Sequence, residues 1–325
     1  MKALHYHDQL CYIPDFPAPE NKSDEIIIQI ASAGICNTDI EITRGYVPGF
    51  NGIPGHEFYG YVASVPDASY DSLIGKRVTA EINCGCGKCS FCKADLERHC
   101  PDRTVIGIVN RNGAFAEYIS VPVPSLVPLP DTIPDDSALF IEPLAAALEI
   151  QEQMAILPDH RVLLIGDGKL AQCLALTLKP TGCSLQVAGR HEWKTVLLQQ
   201  QGISTTLDHA SLPDHAFDIV IEASGSSAAF GEALTKVRPR GTIVLKSTYA
   251  KGFSFNPAPV VVNEITILGS RCGRFSSAIS FLENHRPDLS CLISKRFPLT
   301  DGVMAFETAQ RKDTMKVVID CILER

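Results

Sequence analysis

The stretch NCGCGKCSFCKADLERHCPD places Cys84, Cys86, Cys89, Cys92 and Cys100 within one short loop of a 325-residue chain. Cys86, Cys89, Cys92 and Cys100 follow the pattern C-x2-C-x2-C-x7-C. Two-residue gaps let successive sulfurs turn toward one ion, and four thiolates fill a tetrahedral Zn²⁺ shell with no position open to substrate. The expectation is a structural cage that stiffens a lobe lacking a core of its own; an iron–sulfur cluster and a thiol redox centre are the competing readings. Cys84 is the odd thiol, a bystander unless the register shifts and it substitutes for Cys86. A second group is more reactive in kind. GICNTDIEI and PGHEFYGYV flank a glycine-rich connection and offer Cys36, Asp39, His56 and Glu57, and FIEPLAAALE adds Glu142. A thiolate, an imidazole and a carboxylate with one coordination position left over make an open, catalytic kind of zinc site.

The elements that must position these residues change character along the chain. EIIIQIASAG, GHEFYGYVASV and GKRVTAEI read as strands separated by Gly and Pro, the texture of a β-rich domain. Near PDDSALFIEPLAAALEIQEQM the apolar period becomes helical, with Ser137 as the expected cap. Strands RVLLIGDG, SLQVAG, FDIVIEAS, GTIVLKS and ITILGS then alternate with helices such as KLAQCLALTLK, which implies βαβ units and a parallel sheet. The tail from RFPLTDG to KVVID is short helix and strand able to return to the first domain. The expected organisation is a β-rich domain over 1–143 and 269–325, with an α/β domain over 144–268 inserted near its end.

In LLIGDGKLAQ, Gly166, Gly168 and Ala171 form a G-x-G-x-x-A frame directly after a strand and before a helix. The glycines let backbone approach a pyrophosphate, and the helix N-terminus presents a positive dipole end. About 20 residues on, such folds carry an acid for the ribose 2′-hydroxyl of NAD. Here Gly189 holds that place, followed by Arg190, His191 and Lys194. Loss of the carboxylate and gain of a guanidinium favour NADP over NAD, with Glu192 as a competing acid.

Composition bounds the setting. The formal net charge of −8 argues against nucleic acid or an anionic membrane as partner, since both attract a basic face. No stretch has the length of apolar residues that a membrane span needs, and MKALHYHDQL has no secretory pattern. A cytoplasmic protein is the expectation, with its 12 cysteines reduced.

In their order along the chain, GICNTDIE, GHEFYGYV, the four-cysteine lobe, EPLAAALE and LLIGDGKLA resemble the zinc-dependent medium-chain dehydrogenase/reductase superfamily, which includes alcohol, sorbitol and threonine dehydrogenases. The resemblance runs from MKAL to MKVVI. It implies a Rossmann doubly wound parallel-sheet domain inserted in a β-rich GroES-like catalytic domain. It also implies hydride transfer between an alcohol and NAD(P), with zinc polarising the substrate oxygen. Cys36 and His56 match the first two ligands of a catalytic zinc. Glu142 falls where polyol- and sugar-type relatives place a third, and Glu57 matches a carboxylate that coordinates zinc in some members. Asp39 matches an acid that orients the ligand histidine, and Thr38 a hydroxyl that bonds the substrate oxygen. Glu41 stands where several alcohol dehydrogenases have a relay histidine, which leaves the proton exit open. The implied cofactor set is Gly166, Gly168, Lys169, Leu170 and Ala171 at the turn, Gly189, Arg190 and Lys194 at the ribose, and Ser270 and Lys316. One catalytic and one structural Zn²⁺ per chain, a small-molecule alcohol or carbonyl substrate and a homodimer or homotetramer complete the expectation. Tyr46, Phe50, Phe58 and Phe115 are candidate pocket walls. The alternative from another class is a silent NAD(P)-binding sensor that keeps only the structural zinc.

Overall fold

The computed structural model describes residues 1–248 and 252–322. Residues 249–251 and the last three of the expected first domain lie outside it. The chain divides into two compact units, residues 1–142 with 278–322 and residues 143–277. Residues 269–277, expected with the first, therefore group with the second.

In the first unit the long strand Glu25–Gly34 is the hub of a seven-stranded sheet. It pairs antiparallel with Glu57–Ser64, Tyr118–Pro122 and Lys316–Asp320, and the last of these pairs parallel with Ile293–Pro298. Burial of Ile26, Ile28, Ile30, Phe58, Ile119, Val317 and Ile319 drives this sheet together. Because Glu57 faces Gly34 in the register, and Cys36 follows Gly34 by two residues, the sheet itself brings the two candidate ligand segments side by side. Ser137 does not cap the long helix. It lies inside a separate short helix, Asp135–Ala138, entered from Pro134, whose fixed φ suits a helix start, and the long helix runs Ile141–Gln153.

The second unit is a six-stranded parallel sheet in the spatial order 204–206, 184–188, 161–165, 217–222, 237–245, 266–269. The sheet reverses direction of progression at Arg161–Ile165, the doubly wound arrangement whose switch point binds dinucleotides beyond the strand C-termini. Leu163, Ile165, Val220, Phe230 and Ile243 fill its core, as continuous apolar strands covered on both faces require. Among the described residues no helix is long and apolar enough to cross a membrane.

One polar knot in the first unit bears on the site. Glu25, 6 % exposed, takes Arg111 Nη1 at 2.7 Å, the Ser120 hydroxyl, and Lys22 Nζ at 3.3 Å. Arg111 adjoins Asn112, whose Oδ1 accepts from Ile53 N at 3.1 Å, so the knot anchors the loop that braces the approach to His56. Burial alone would raise the Glu25 pKa, but Ser120 and Arg111 outweigh it and hold it low. A carboxylate so held stabilises the fold above its ordinary pKa and loses that effect as pH falls through the lowered one. Glu25→Gln should therefore cost about 2 kcal/mol at neutral pH. In denaturant unfolding at a series of pH values, the gap to wild type should close on acidification.

Candidate active site

Cys36 caps the short helix Asn37–Ile42, and Asp39 in its first turn accepts from Cys36 N at 2.8 Å. The same carboxylate, fully buried, accepts from Gly55 N at 3.1 Å and lies 3.1 Å from His56 Nδ1. One side chain thus ties the segment bearing Cys36 to the turn bearing His56. Gly55 sits at φ +104, and a Cβ there would come within 2.9 Å of the Phe115 ring. Ala114 N donates to Gly55 O at 2.9 Å and Gly113 N to Ile53 O at 2.6 Å, which clamps the turn from the far side.

The ligand atoms of Cys36, His56 and Glu57 all lie within 4.8 Å of one another. With Nδ1 3.1 Å from Asp39, His56 has Nε2 left to meet a metal, and an acid behind the ring favours that tautomer. Burial works to lower the His56 pKa, but Asp39 and Cys36 override it and raise it well above the ordinary value. A thiolate, an imidazole and a carboxylate gathered in one place are donor types that zinc takes, so the set fits the metal. Glu142, half-buried in the first turn of the Ile141–Gln153 helix, is outside this three-residue group.

Glu57 has a partner that the sequence did not announce. Its Oε2 accepts from Lys316 Nζ, both side chains are almost fully buried, and the ammonium stands 5.4 Å from the centroid of the Phe140 ring. A Cβ on Gly34 would lie 3.0 Å from Glu57 Oε2 and 3.1 Å from Lys316 Cδ, so the glycine leaves room for the pair. Lys316, expected on the cofactor, has this carboxylate as its partner. Thr38 is half-buried on the Asn37–Ile42 helix. Glu41, at the position of the relay histidine, accepts from Arg44 Nη1 at 2.8 Å. Of the aromatic candidates, Phe58 and Phe115 are core, Tyr46 is exposed, and Phe50 lines a cleft of about 490 Å³ between residues 47–52 and 108–112.

The sulfurs of Cys86, Cys89, Cys92 and Cys100 also lie within 4.8 Å of one another, and Cys84 is not among them. Cys89 caps the helix Ser90–Lys93, with Cys92 N donating to its sulfur at 3.4 Å, while Cys86 N donates to Cys100 Sγ at 3.4 Å. Backbone N–H groups of Lys88 and Cys89 draw the Cys86 thiol down to about 7, whereas burial pushes Cys92 up to about 12. Four sulfurs at this spacing, with backbone amides already donating among them, suit a closed zinc cage.

In the second unit, Gly166 follows the 161–165 strand at φ +131, where a Cβ would meet Ala223 O at 2.7 Å. Gly168 caps the helix Lys169–Leu178 with open space where its Cβ would be, and Ala171 is fully buried. Lys169 and Leu170 are half-buried in the first turn. Ser270 is buried, its hydroxyl 3.2 Å from Lys246 Nζ. Arg190 is exposed, and Lys194 Nζ stands 5.3 Å from the Trp193 ring centroid. The preference for NADP rests on the absence of an acid beside Gly189, and the structure supplies one. Asp167 Oδ2 accepts from Arg190 N at 2.6 Å and His191 N at 2.7 Å. Burial would raise its pKa, but those two N–H groups outweigh it and hold Asp167 below the usual carboxylate range. Its position inside the glycine frame was the only sequence signal.

Two family models match the chain, the alcohol dehydrogenase GroES-like domain over residues 22–131 and the zinc-binding dehydrogenase domain over 170–284. The chain belongs to the zinc-dependent medium-chain dehydrogenases. It is 28 % identical over 330 residues to an L-threonine 3-dehydrogenase of Rhizobium etli, covering 95 % of this chain and 94 % of the relative. It is 27 % identical over 334 residues to a D-arabitol-phosphate dehydrogenase of Enterococcus avium, covering 97 % and 94 %. Galactitol-1-phosphate dehydrogenase from Escherichia coli shares the fold, with a TM-score of 0.88 at 22 % identity over 99 % of this chain and 100 % of that one.

Two outcomes test the metal sites of this medium-chain dehydrogenase. Asp39→Asn should weaken zinc at the Cys36 site by roughly 10- to 100-fold in competition with a chromophoric chelator. Cys89→Ser should empty the cage and lower the melting temperature, since structural zinc contributes folding free energy; unchanged zinc content and stability would refute a closed cage.

Proposed function

We propose that the protein is a zinc-dependent oxidoreductase that transfers hydride between a secondary alcohol, polyol or sugar-like substrate and NAD(P). The observation that carries this reading is the grouping of Cys36, His56 and Glu57, with the buried Asp39 carboxylate tying the Cys36 segment to the turn that bears His56. When bound, zinc supplies a Lewis acid for the substrate oxygen, and the dinucleotide gives or accepts the hydride.

The chain's own residues supply the rest. Cys36, His56 and Glu57 hold the metal from a thiolate, an imidazole and a carboxylate, a set that leaves a position for substrate. Asp39 keeps His56 in the tautomer with Nε2 toward the metal. Thr38, two residues beyond Cys36, offers a hydroxyl for the substrate oxygen. Lys316 balances the charge of Glu57 in a place too dry for an unpaired carboxylate. Cys86, Cys89, Cys92 and Cys100 hold a second, structural zinc. Gly166, Gly168 and the start of the Lys169–Leu178 helix receive the pyrophosphate. The choice between NAD and NADP is made beside Gly189, where the Arg190 cation argues for a 2′-phosphate and the Asp167 carboxylate against it.

The substrate class draws on the relatives, whose names specify threonine and the phosphates of arabitol and galactitol, all hydroxyl compounds. A homodimer or homotetramer is the assembly that the family resemblance supports. Protein purified without chelators should carry two zinc ions per chain by elemental analysis. His56→Ala should reduce this to one and lower kcat/KM by at least about 10³-fold, with NAD(P)H binding largely kept. A variant with full turnover would sink the assignment of His56.

A further inference from the structure

The position at which folds of this kind carry the NAD-selecting acid is Gly189, and the space beside it is already taken. A Cβ built on Gly189 would lie 2.5 Å from Thr195 Cγ2, 3.1 Å from Asp167 Oδ2 and 3.2 Å from Asp167 Cβ. The side chain of Asp167 rises from the middle of the Gly166–Gly168 turn into the volume that a side chain at 189 would fill. It is 6 % exposed and its orientation is locked. Oδ2 accepts from Arg190 N and His191 N, and His191 Nδ1 lies 3.0 Å from both carboxylate oxygens. From behind, His209 Nε2 reaches Gly189 O at 2.9 Å while its Nδ1 stands 2.7 Å from Glu232 Oε1, which fixes the end of the 184–188 strand.

Two consequences follow for a dinucleotide whose adenosine ribose meets this corner. The backbone N–H groups of Arg190 and His191, the donors that a 2′-phosphate would use, are spent on Asp167. A fixed anion also stands where that phosphate would come. Arg190 opposes this from an exposed side chain in high dielectric, where its field is screened. The Asp167 charge is buried and held, so it acts at closer to full strength. Oδ1 makes one of the four contacts and keeps acceptor capacity for a ribose hydroxyl.

We propose that Asp167 takes over the part of the missing acid at position 189, reading the adenosine ribose from within the glycine turn, so that the enzyme selects NAD over NADP despite Arg190. This rests on the dinucleotide reading of the second unit. It is a specificity device made of attraction and exclusion together: a carboxylate for the 2′-hydroxyl and a like charge against the 2′-phosphate.

The test is equilibrium titration of NADH and NADPH, followed by nicotinamide fluorescence, on wild-type protein, Asp167→Asn, Asp167→Ser and Arg190→Ala. Wild type should bind NADH at least about tenfold more tightly than NADPH. Asp167→Asn keeps the shape and removes the charge, and should move the ratio of dissociation constants toward NADPH by about tenfold or more. Arg190→Ala should move the ratio of dissociation constants by less than Asp167→Asn does, since its exposed charge is screened. A wild type that prefers NADPH overturns the proposal without any variant. A preference for NADH that both substitutions at 167 leave within about twofold overturns the role of Asp167. Failure to bind either dinucleotide would instead remove the cofactor reading on which the proposal stands.

Discussion

The candidate active site depends on one buried carboxylate. Asp39 is removed from water, and a carboxylate in that position persists only if its oxygens are met by donors. It accepts from Cys36 N and Gly55 N and stands 3.1 Å from the His56 ring. Each belongs to a segment that carries or adjoins a candidate metal ligand. Satisfying Asp39 and assembling the site are therefore one folding event. The loop 107–115 then has to pack on Gly55 at backbone distance, which is why glycine is required at 55, 107 and 113; a Cβ at 107 or 113 would approach the Gly55 carbonyl to 2.4 or 2.3 Å.

The same device recurs twice with different partners. Glu57 and Lys316 form a buried ion pair, in which removing either member would strand the other charge in a dry place. In the second unit Asp167 joins the glycine turn to the chain just beyond the 184–188 strand through two backbone N–H groups. In all three, an anion is held between segments distant in sequence, and its orientation is settled before any ligand arrives. Such preorganisation is what a metal or dinucleotide site needs, since the cost of ordering its groups has already been met in folding.

The cysteine cage is built on a different principle. Its sulfurs lie within residues 86–100, and a single helical turn capped by Cys89 brings them together. Gly85 lets the chain pass within 2.7 Å of Cys92 Sγ, measured from where a Cβ would stand. Local spacing suffices there because the lobe has little apolar core to consult.

That contrast explains what could be read in advance. The four-cysteine pattern, the strand–turn–helix around Gly166 and Gly168, and the alternation of strand and helix are local, so the sequence by itself determined the fold class, the cage and the likeness to zinc-dependent dehydrogenases. Cys36, His56 and Asp39 were legible through motif order. The proximity of Glu57 rather than Glu142 to Cys36 and His56, the burial of Lys316 on Glu57, and the turn of Asp167 toward Gly189 were decided only by the tertiary structure. Each depends on strand register or on the volume left by a glycine, at Gly34 for Lys316 and at Gly189 for Asp167. A missing side chain reads in sequence as an absence; only in three dimensions does it become the space that another residue fills.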